Sequence, residues 1–253
     1  MTSFPIYVLS KSRAGKALTC NHLEQAGMPY HLMVPPSQEK AYAARYPLAN
    51  IFTTSKETQR MGEVRNDLLR YARIQGHPYI WMLDDDIVRL NVIQKGKIIQ
   101  PSLAALHDLE PMISGLDIVQ AGMTGAIPNP QRIHCSVNGP CCAVVAFNMQ
   151  AMQEYSYDPQ LYFGGDIDLT LQILTSGKYN VRFFSYSYVC KSFGKKGKEY
   201  PGGLEETYLT QTTEESFNRI VSKYPGIVRI GLDPGGRSML IVNWAKFRVK
   251  VQR

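Results

Sequence analysis

Three consecutive aspartates, Asp84, Asp85 and Asp86, directly follow the apolar run 79–83. A run of this length, rich in aromatic and branched residues, predicts a short buried strand. The three carboxylates would then leave its carboxyl end, where open α/β sheets bind their ligands. Adjacent negative charges repel one another unless a cation lies among them, and hard oxygen ligands select Mg²⁺ or Mn²⁺, often with substrate phosphates. The alternative is an acidic turn that caps the next helix.

A second acidic element, Asp166 and Asp168, follows the pair Gly164-Gly165 and opens a predicted helix that ends at Gly177. In one interpretation, Asp166 caps this helix and Asp168 stabilises its positive end. In the other, the glycines let an acceptor approach while Asp166 acts as general base on the acceptor hydroxyl, with Asp168 as its structural support. We favour the second interpretation.

Polar groups that could bind or react occur in three further segments. The turn 11–16, between a predicted strand and a helix, is typical of an anion or nucleotide cradle, but it lacks the glycine spacing of a P-loop or a dinucleotide-binding turn. The loop 190–203 carries lysines that could close over a diphosphate or contact a nucleic-acid backbone. His134 lies in another loop, and histidine can act as an acid or a base near neutral pH. A plain solvated or incidental role is the alternative for each.

The order of the apolar runs predicts a doubly wound parallel sheet for the first part of the chain. Its predicted strands are 5–10, 31–34, 50–54 and 79–83, and its helices are 17–26 and 56–75, the second interrupted or started afresh near Gly62. Beyond it we predict a hairpin at 87–99, a helix at 101–113, strands at 117–121, 139–148 and 180–189, and an alternating strand pattern over 239–251.

The composition is that of a soluble globular protein. At 253 residues the chain suits one large α/β domain or one domain with an appendage, and its 44% hydrophobic and 19% charged residues are ordinary. No apolar stretch approaches the length of a membrane span, and the N-terminus lacks a signal-peptide pattern. The five cysteines lack metal-ligand spacing, which favours a reducing cytoplasm over a disulfide framework.

Positive charge is concentrated near the C-terminus. The formal net charge is +7, and residues 191–253 hold twelve Lys or Arg against six Asp or Glu. A local excess of this kind indicates a polyanionic partner.

Residues 6–90 resemble the nucleotide-sugar-binding half of a GT-A-fold glycosyltransferase. The motifs that carry the resemblance are an opening strand that ends Ser-x-Ser-Arg, a helix with Gly-x-x-Arg-Asn, and Asp-Asp-Asp after a buried strand. The resemblance implies an α/β fold, a Rossmann-like mixed sheet flanked by helices. It also implies that Asp84 and Asp86 hold Mn²⁺ or Mg²⁺, which bridges the sugar diphosphate. The residues that it places near the nucleotide or diphosphate are Ser10, Arg13, Arg65, Asn66 and Asp84.

The second acidic element resembles the Glu-Asp-x-Asp-Leu element of inverting GT-A enzymes, with Gly165 in place of the first acid. The resemblance implies that Asp166 is the catalytic base and that Asp168 supports it. In many GT-A enzymes a histidine after the following strand completes the metal shell; here the local candidates are Cys190 and Ser192.

Taken together, the motifs are similar to those of the TET-associated glycosyltransferases of bacteriophages, over residues 6–200. The resemblance implies a hexosyltransferase that moves a sugar from a UDP-sugar, UDP-glucose or a relative of it, to the hydroxyl of 5-hydroxymethylcytosine in double-stranded DNA. Lys195 of the basic loop would assist at the diphosphate. A phage-encoded enzyme of this kind would work in the cytoplasm of the host bacterium.

Two alternatives stay open at this point. The acceptor of a GT-A enzyme could instead be a carbohydrate, a lipid-linked sugar or a protein, or the chain could be an inactive GT-A-fold module that binds DNA. For the domain organisation we expect a single GT-A domain over 1–253. It would consist of a nucleotide-sugar-binding half at 1–90, an acceptor half at 91–203 and a basic C-terminal extension at 204–253.

Overall fold

A mixed β-sheet forms the centre of the protein, and its first half is parallel. The computed structural model describes residues 4–57, 60–125, 134–191, 213–233 and 235–247. The parallel strands are β1 (Ile6–Leu9), β2 (Tyr30–Val34), β3 (Ala49–Thr53) and β4 (Tyr79–Asp84), in the spatial order β3-β2-β1-β4. The predicted doubly wound arrangement of this part of the chain is therefore confirmed.

Three helices connect these strands: α1 (Leu18–Gln25), α2 (Glu39–Ala43) and α3 (Met61–Ile74). The prediction that the last helix runs from residue 56 is wrong, and the alternative of a fresh start near Gly62 is confirmed. The helix begins there because the backbone N–H of Arg60 donates to Glu63 Oε2 at 2.9 Å, which satisfies a donor at the helix start.

The second half of the sheet is mostly antiparallel. Its strands are β5 (Ile87–Gln94), β6 (Lys97–Pro101), β7 (Gln120–Thr124), β8 (Cys135–Val137), β9 (Val144–Asn148) and β10 (Asn180–Cys190). Two helices connect some of these strands: α4 (Ala104–Ser114) and α5 (Gly165–Thr175). The order continues from β4 as β9-β7-β10-β5-β6, and β8 pairs with β10. The predicted hairpin at 87–99 is confirmed, with positive φ angles at Lys95 and Gly96 in its turn.

Two predicted strands lie elsewhere than expected. The strand predicted at 117–121 is found at Gln120–Thr124, and the one predicted at 139–148 is confined to Val144–Asn148. Pro140 precedes the second strand and Ala143 has a φ of 55°, so this backbone cannot extend before residue 144. Of the residues just before this strand, Gly139 and Cys141 are buried.

Both faces of the sheet are buried, as the residues of strand β1 illustrate. Ile6 and Val8 belong to one hydrophobic cluster, which α1 and α4 cover, and Tyr7 and Leu9 belong to the opposite cluster, which α3 and α5 cover. Alternate residues of one strand thus enter two cores, as expected for parallel strands between helical layers.

A C-terminal unit packs against α5. It consists of α6 (Thr213–Lys223) and a separate antiparallel hairpin of β11 (Val228–Leu232) and β12 (Ser238–Val242). Its core contains Leu161, Leu171, Ile220, Tyr224 and Val228. The predicted strand over 239–251 is wrong beyond Val242, because Trp244–Phe247 form a 3₁₀ turn in which Lys246 N–H donates to the Asn243 carbonyl at 3.2 Å. Residues 248–253 lie outside the described part of the chain.

Ion pairs to two buried aspartates join α6 to the rest of the protein. Lys223 Nζ donates to Asp158 Oδ2 at 3.0 Å and to Asp168 Oδ1 at 2.7 Å, and Arg219 Nε donates to Asp158 Oδ2 at 2.8 Å. Although burial opposes it, the hydrogen bonds from Arg219, the Gln160 N–H and Lys223 lower the pKa of Asp158 to about 2. Asp158 therefore stays ionised well into the acid range.

This low pKa predicts an acid-sensitive contribution to stability. In the unfolded chain Asp158 binds its proton near pH 4, above the folded-state value, so the contribution is present above that pH and is lost as the pH falls towards 2. We expect the difference in unfolding free energy between wild type and Asp158→Asn to reach about 2 kcal/mol at pH 7 and to shrink towards zero near pH 2. Urea unfolding at a series of pH values measures it. A difference that does not change with pH would contradict the assignment.

Within the described ranges, none of the helices is both long enough and apolar enough to cross a bilayer. All five cysteines lie in those ranges and are free thiols. The structure therefore contains no disulfide among them, as their spacing predicts.

Candidate active site

A cleft of about 260 Å³ opens where the strands of the parallel half end. Asp84 is the last residue of β4 and Asp166 the second residue of α5, and both side chains line this cleft. The two acidic elements, 80 residues apart in the sequence, therefore face one space. The cleft-lining residues are Leu9, Ser10, Lys11, Arg13, Met33, Pro35, Thr54, Glu57, Met61, Gly62, Val64, Arg65, Asp84, Asp85, Asp86, Tyr157, Leu161, Tyr162, Phe163, Gly164, Gly165 and Asp166.

Gly164 sets the start of α5 at the edge of the cleft. Its φ of 77° lies in the left-handed region, and a Cβ on it would lie 2.8 Å from Ile220 Cδ1. Only glycine combines this backbone turn with such a close approach of α6. The turn directs the first residues of α5, and with them Asp166, towards the strand ends.

The middle aspartate of the triplet points away from its neighbours into a buried network. Ser10 Oγ donates to Asp85 Oδ2 and Arg13 Nη1 donates to Asp85 Oδ1, each at 2.5 Å. Tyr42 Oη lies 2.8 Å from Ser10 Oγ and accepts the Arg13 backbone N–H at 2.9 Å. Ser10 and Arg13, which the resemblance placed near the nucleotide, line the cleft, but their polar groups are directed at Asp85. Through Asp85 they hold the strand end that carries Asp84 and Asp86.

Arg65 lies between the two acidic elements. Its Nη2 is 3.2 Å from Asp84 Oδ1, and its Nη1 donates to Asp166 Oδ1. Its side chain is 7% exposed, and its Cζ lies over the Tyr157 ring, 5.1 Å from the centroid. One buried guanidinium thus joins the predicted metal ligand Asp84 to the predicted base Asp166.

The rest of the Gly-x-x-Arg-Asn motif positions this arginine. A Cβ on Gly62 would lie 2.4 Å from the carbonyl oxygen of Asp158, so glycine lets α3 pack directly on that backbone. Asn66 does not line the cleft; its amide donates to the Tyr157 carbonyl and accepts the Tyr157 N–H, both at 2.9 Å. Asn66 therefore fixes the residue whose ring lies under Arg65.

The acidic triplet carries more negative charge than its surroundings neutralise. Burial raises the pKa of Asp84; Arg65 opposes this effect, and the carboxylates of Asp166, Asp86 and Asp85 add to it. Burial also raises the pKa values of Asp85 and Asp86. A cation next to Asp84 and Asp86 would relieve this cost.

The donor atoms fit a hard divalent cation that brings most of its own shell. Asp84 and Asp86 offer carboxylate oxygens in the cleft, whereas no group of three His, Cys, Asp or Glu side chains in the described ranges could hold a metal by itself. Mg²⁺ and Mn²⁺ commonly take one or two carboxylates and complete their shell with phosphate oxygens and water. The Cys190 thiol hydrogen-bonds to Asp86, and burial raises the pKa of this thiol.

Other predicted positions lie away from the cleft or outside the described ranges. Asp168 is fully buried, and Lys223 Nζ at the end of α6, Tyr224 Oη just after it and Gln172 Nε2 of α5 donate to it. His134 is exposed and lies 3.0 Å from Ser185 Oγ through its Nδ1. Lys195 and Ser192 fall in 192–212, which the structure does not describe.

The sequence analysis missed an aromatic wall of the cleft, and it placed Lys11 only within the candidate anion cradle 11–16. Tyr157, Tyr162 and Phe163 line the Asp166 side of the cleft, and Lys11 lines the side formed by the strand ends. Arg60 Cζ lies 4.4 Å from the centroid of the Tyr162 ring. The sequence held a signal for this wall, because aromatic residues directly precede the Gly164-Gly165 pair and the chain on both sides of such a turn borders the same space.

Comparisons with known proteins relate the chain to one family and to two solved structures. Residues 4–198 match the sequence model of a family described as TET-Associated Glycosyltransferase. A search of curated proteins gave no match. Among solved structures, the chain is similar to one described as mannose-1-phosphate geranyltransferase from Thermus thermophilus, with 12% identity, a TM-score of 0.41, and coverage of 68% of this chain and 64% of that one. It is also similar to a putative nucleotide-diphospho-sugar transferase from Desulfovibrio desulfuricans, with 11% identity, a TM-score of 0.41, and coverage of 72% and 80%.

The family match confirms the resemblance seen in the sequence motifs. The predicted α/β architecture, a mixed sheet flanked by helices, is confirmed by the structure. The chain spans slightly less than two thirds of the Thermus thermophilus protein.

Proposed function

The chain belongs to the family of TET-associated glycosyltransferases, and from this premise we propose that it moves a sugar from a UDP-sugar to the hydroxyl of 5-hydroxymethylcytosine in double-stranded DNA. UDP-glucose or a close relative is the donor that we expect. A phage enzyme of this kind would act in the cytoplasm of its bacterial host.

One observation carries the proposal: Asp84 and Asp166 face a single cleft and share the guanidinium of Arg65. Glycosyl transfer needs a group that stabilises the departing diphosphate and a base that takes the acceptor proton, on opposite sides of the reacting carbon. Two acidic elements across one cleft meet this need. A cleft made only to bind DNA has no use for carboxylates at its centre, because they repel phosphates.

The proposed donor site is the side formed by the strand ends. Mn²⁺ or Mg²⁺ held by Asp84 and Asp86 would offset the negative charge that develops on the diphosphate. Lys11 is a cleft-lining cation that could assist, whereas Arg13 is committed to Asp85. Ser10 and Arg13 would act indirectly, by holding Asp85 and the end of β4.

The proposed acceptor site is the aromatic side. There Asp166 would take the proton of the hydroxymethyl oxygen as that oxygen attacks the anomeric carbon. Asp168 would support it from a distance, by anchoring the first turn of α5 to Lys223 and Tyr224 of the C-terminal unit. A planar base taken out of the DNA stack suits the wall formed by Tyr157, Tyr162 and Phe163 better than a flexible sugar chain does.

Phosphate contacts for the DNA would come from basic residues of the C-terminal unit. Three that the sequence analysis counted in the C-terminal region form ion pairs within the protein: Arg219 and Lys223 with Asp158, and Arg237 with Asp233. In the described part of 213–247 this leaves Arg229 and Lys246 as the proposed phosphate contacts. DNA binding of this kind should weaken steeply as salt is added.

Mass spectrometry of DNA after incubation with the protein tests the proposal. Hydroxymethylated and unmodified duplexes of one sequence are incubated with Mn²⁺ and each of several UDP-sugars. We expect the hydroxymethylated duplex to gain the mass of one sugar per modified cytosine and the unmodified duplex to gain none. UDP-sugar turnover that leaves both duplexes unchanged would point to a different acceptor, and no turnover with any donor would overturn the proposal.

A further inference from the structure

Arg65 is held in an arrangement that leaves one of its donors unused. The side chain is 7% exposed, and its two terminal nitrogens are taken by Asp84 and Asp166. Its Nε is buried and has no hydrogen-bond partner. A buried N–H without an acceptor costs folding free energy. A ligand that enters the cleft and accepts a hydrogen bond from this Nε would remove that cost.

The carboxylate that Arg65 holds is the one that a cation would need. Asp84 Oδ1 lies 3.2 Å from Nη2 of Arg65 and faces the same cleft as Asp86. Two cations next to one carboxylate repel each other. A divalent ion that binds Asp84 without a diphosphate therefore competes with a buried arginine, whose other ion pair among the described residues is with Asp166.

A diphosphate changes this balance. Its oxygens can accept from the Arg65 nitrogen that gives up Asp84 and from the unpartnered Nε, in the paired geometry that arginine favours with phosphate. The same oxygens complete the shell of the cation. Arg65 would keep its bond to Asp166 throughout, so the predicted base stays oriented while the donor site is filled.

We propose that Arg65 is an exchangeable countercation, which occupies Asp84 in the ligand-free protein and yields it only when a divalent cation arrives together with a diphosphate. This inference rests on the proposed function, because it takes the diphosphate of a nucleotide sugar as the ligand. Its consequence is that Arg65 adds to the cooperativity of Mn²⁺ and UDP binding, beyond the direct contact of the diphosphate with the cation.

Mn²⁺ titration followed by electron paramagnetic resonance, with and without UDP, tests this. For the wild type we expect UDP to tighten Mn²⁺ binding by about tenfold or more. Arg65→Met removes the charge at similar length, so Mn²⁺ alone should bind about tenfold more tightly than to wild type. UDP should then tighten Mn²⁺ binding clearly less than in the wild type, through the direct contact of phosphate with the cation. The matched control is Arg70→Met, on the exposed side of the same helix, which should behave like the wild type.

Thermal unfolding of the wild type supplies a second measurement that does not depend on the folding of a variant. Millimolar Mn²⁺ alone should leave Tm nearly unchanged, and Mn²⁺ with UDP should raise it clearly. Equal Tm shifts without and with UDP, or equal Mn²⁺ affinities of wild type and Arg65→Met without UDP, would overturn the inference and leave the proposed function standing. Absence of Mn²⁺ binding to every form in the presence of UDP would overturn both.

Discussion

Replacing Asp166 by asparagine is expected to lower kcat for sugar transfer to hydroxymethylated DNA by about a thousandfold, because a positioned general base contributes two to four orders of magnitude. Asparagine keeps the shape of the side chain, and its oxygen can still accept the hydrogen bond from Arg65. The cleft should therefore stay assembled while the group that takes the proton is lost. Steady-state kinetics give kcat, and calorimetry with UDP and Mn²⁺ shows whether the donor site is intact.

Asp117→Asn is the matched control for this substitution. Asp117 is exposed in the connection between α4 and β7 and does not line the cleft, so its replacement should leave kcat and donor binding unchanged. The assignment of Asp166 as base fails if Asp166→Asn keeps more than about a tenth of the wild-type kcat while donor binding is normal. A loss of donor binding with the loss of kcat would instead show that Asp166 acts by holding Arg65.

The parallel half of the fold could be predicted because its information is local. Each buried strand is a continuous apolar run bounded by turn residues, so the end of β4 and the position of Asp84 follow from residues 79–86 alone. The start of α5 at the Gly164-Gly165 pair is equally local. Placing Asp84 and Asp166 in one cleft needed one further assumption, that both elements lie at the same edge of the sheet.

The contacts that assemble the site could not be predicted in this way, because they join distant parts of the chain. Arg65 meets Asp166 across 101 positions, and Asn66 meets the Tyr157 backbone across 91. No periodic pattern records such pairs, and surface pairing within α3 was the simpler expectation for an arginine. The family resemblance placed Asn66 near the nucleotide, whereas its amide is fully used on Tyr157. The inward turn of Asp85 towards Ser10 and Arg13 is likewise set by packing.

A second large effect is expected for Gly62→Ala, although alanine is the better helix former. The added Cβ would lie 2.4 Å from the carbonyl oxygen of Asp158 and 3.3 Å from Pro159 Cα. That backbone cannot easily give way, because Asp158 is held by Arg219 and Lys223. We expect the free energy of unfolding to fall by about 1–3 kcal/mol, as for other overpacked sites. Urea unfolding measures it.

The same substitution should slow sugar transfer. Helix α3 would move away from Asp158, and Arg65 would move with it, because it lies about one helical turn after Gly62. A displacement of about 1 Å in positioning groups can cost a hundredfold in rate, so kcat should fall by about that factor in protein that is still folded. Gly115→Ala, in the C-cap of α4, is the matched control: its φ is −84° and a Cβ there meets nothing closer than 3.5 Å. It should leave stability and kcat near the wild-type values. If the two alanine variants behave alike, close packing of α3 on Asp158 does not position Arg65, and the Gly-x-x-Arg-Asn motif needs another physical explanation.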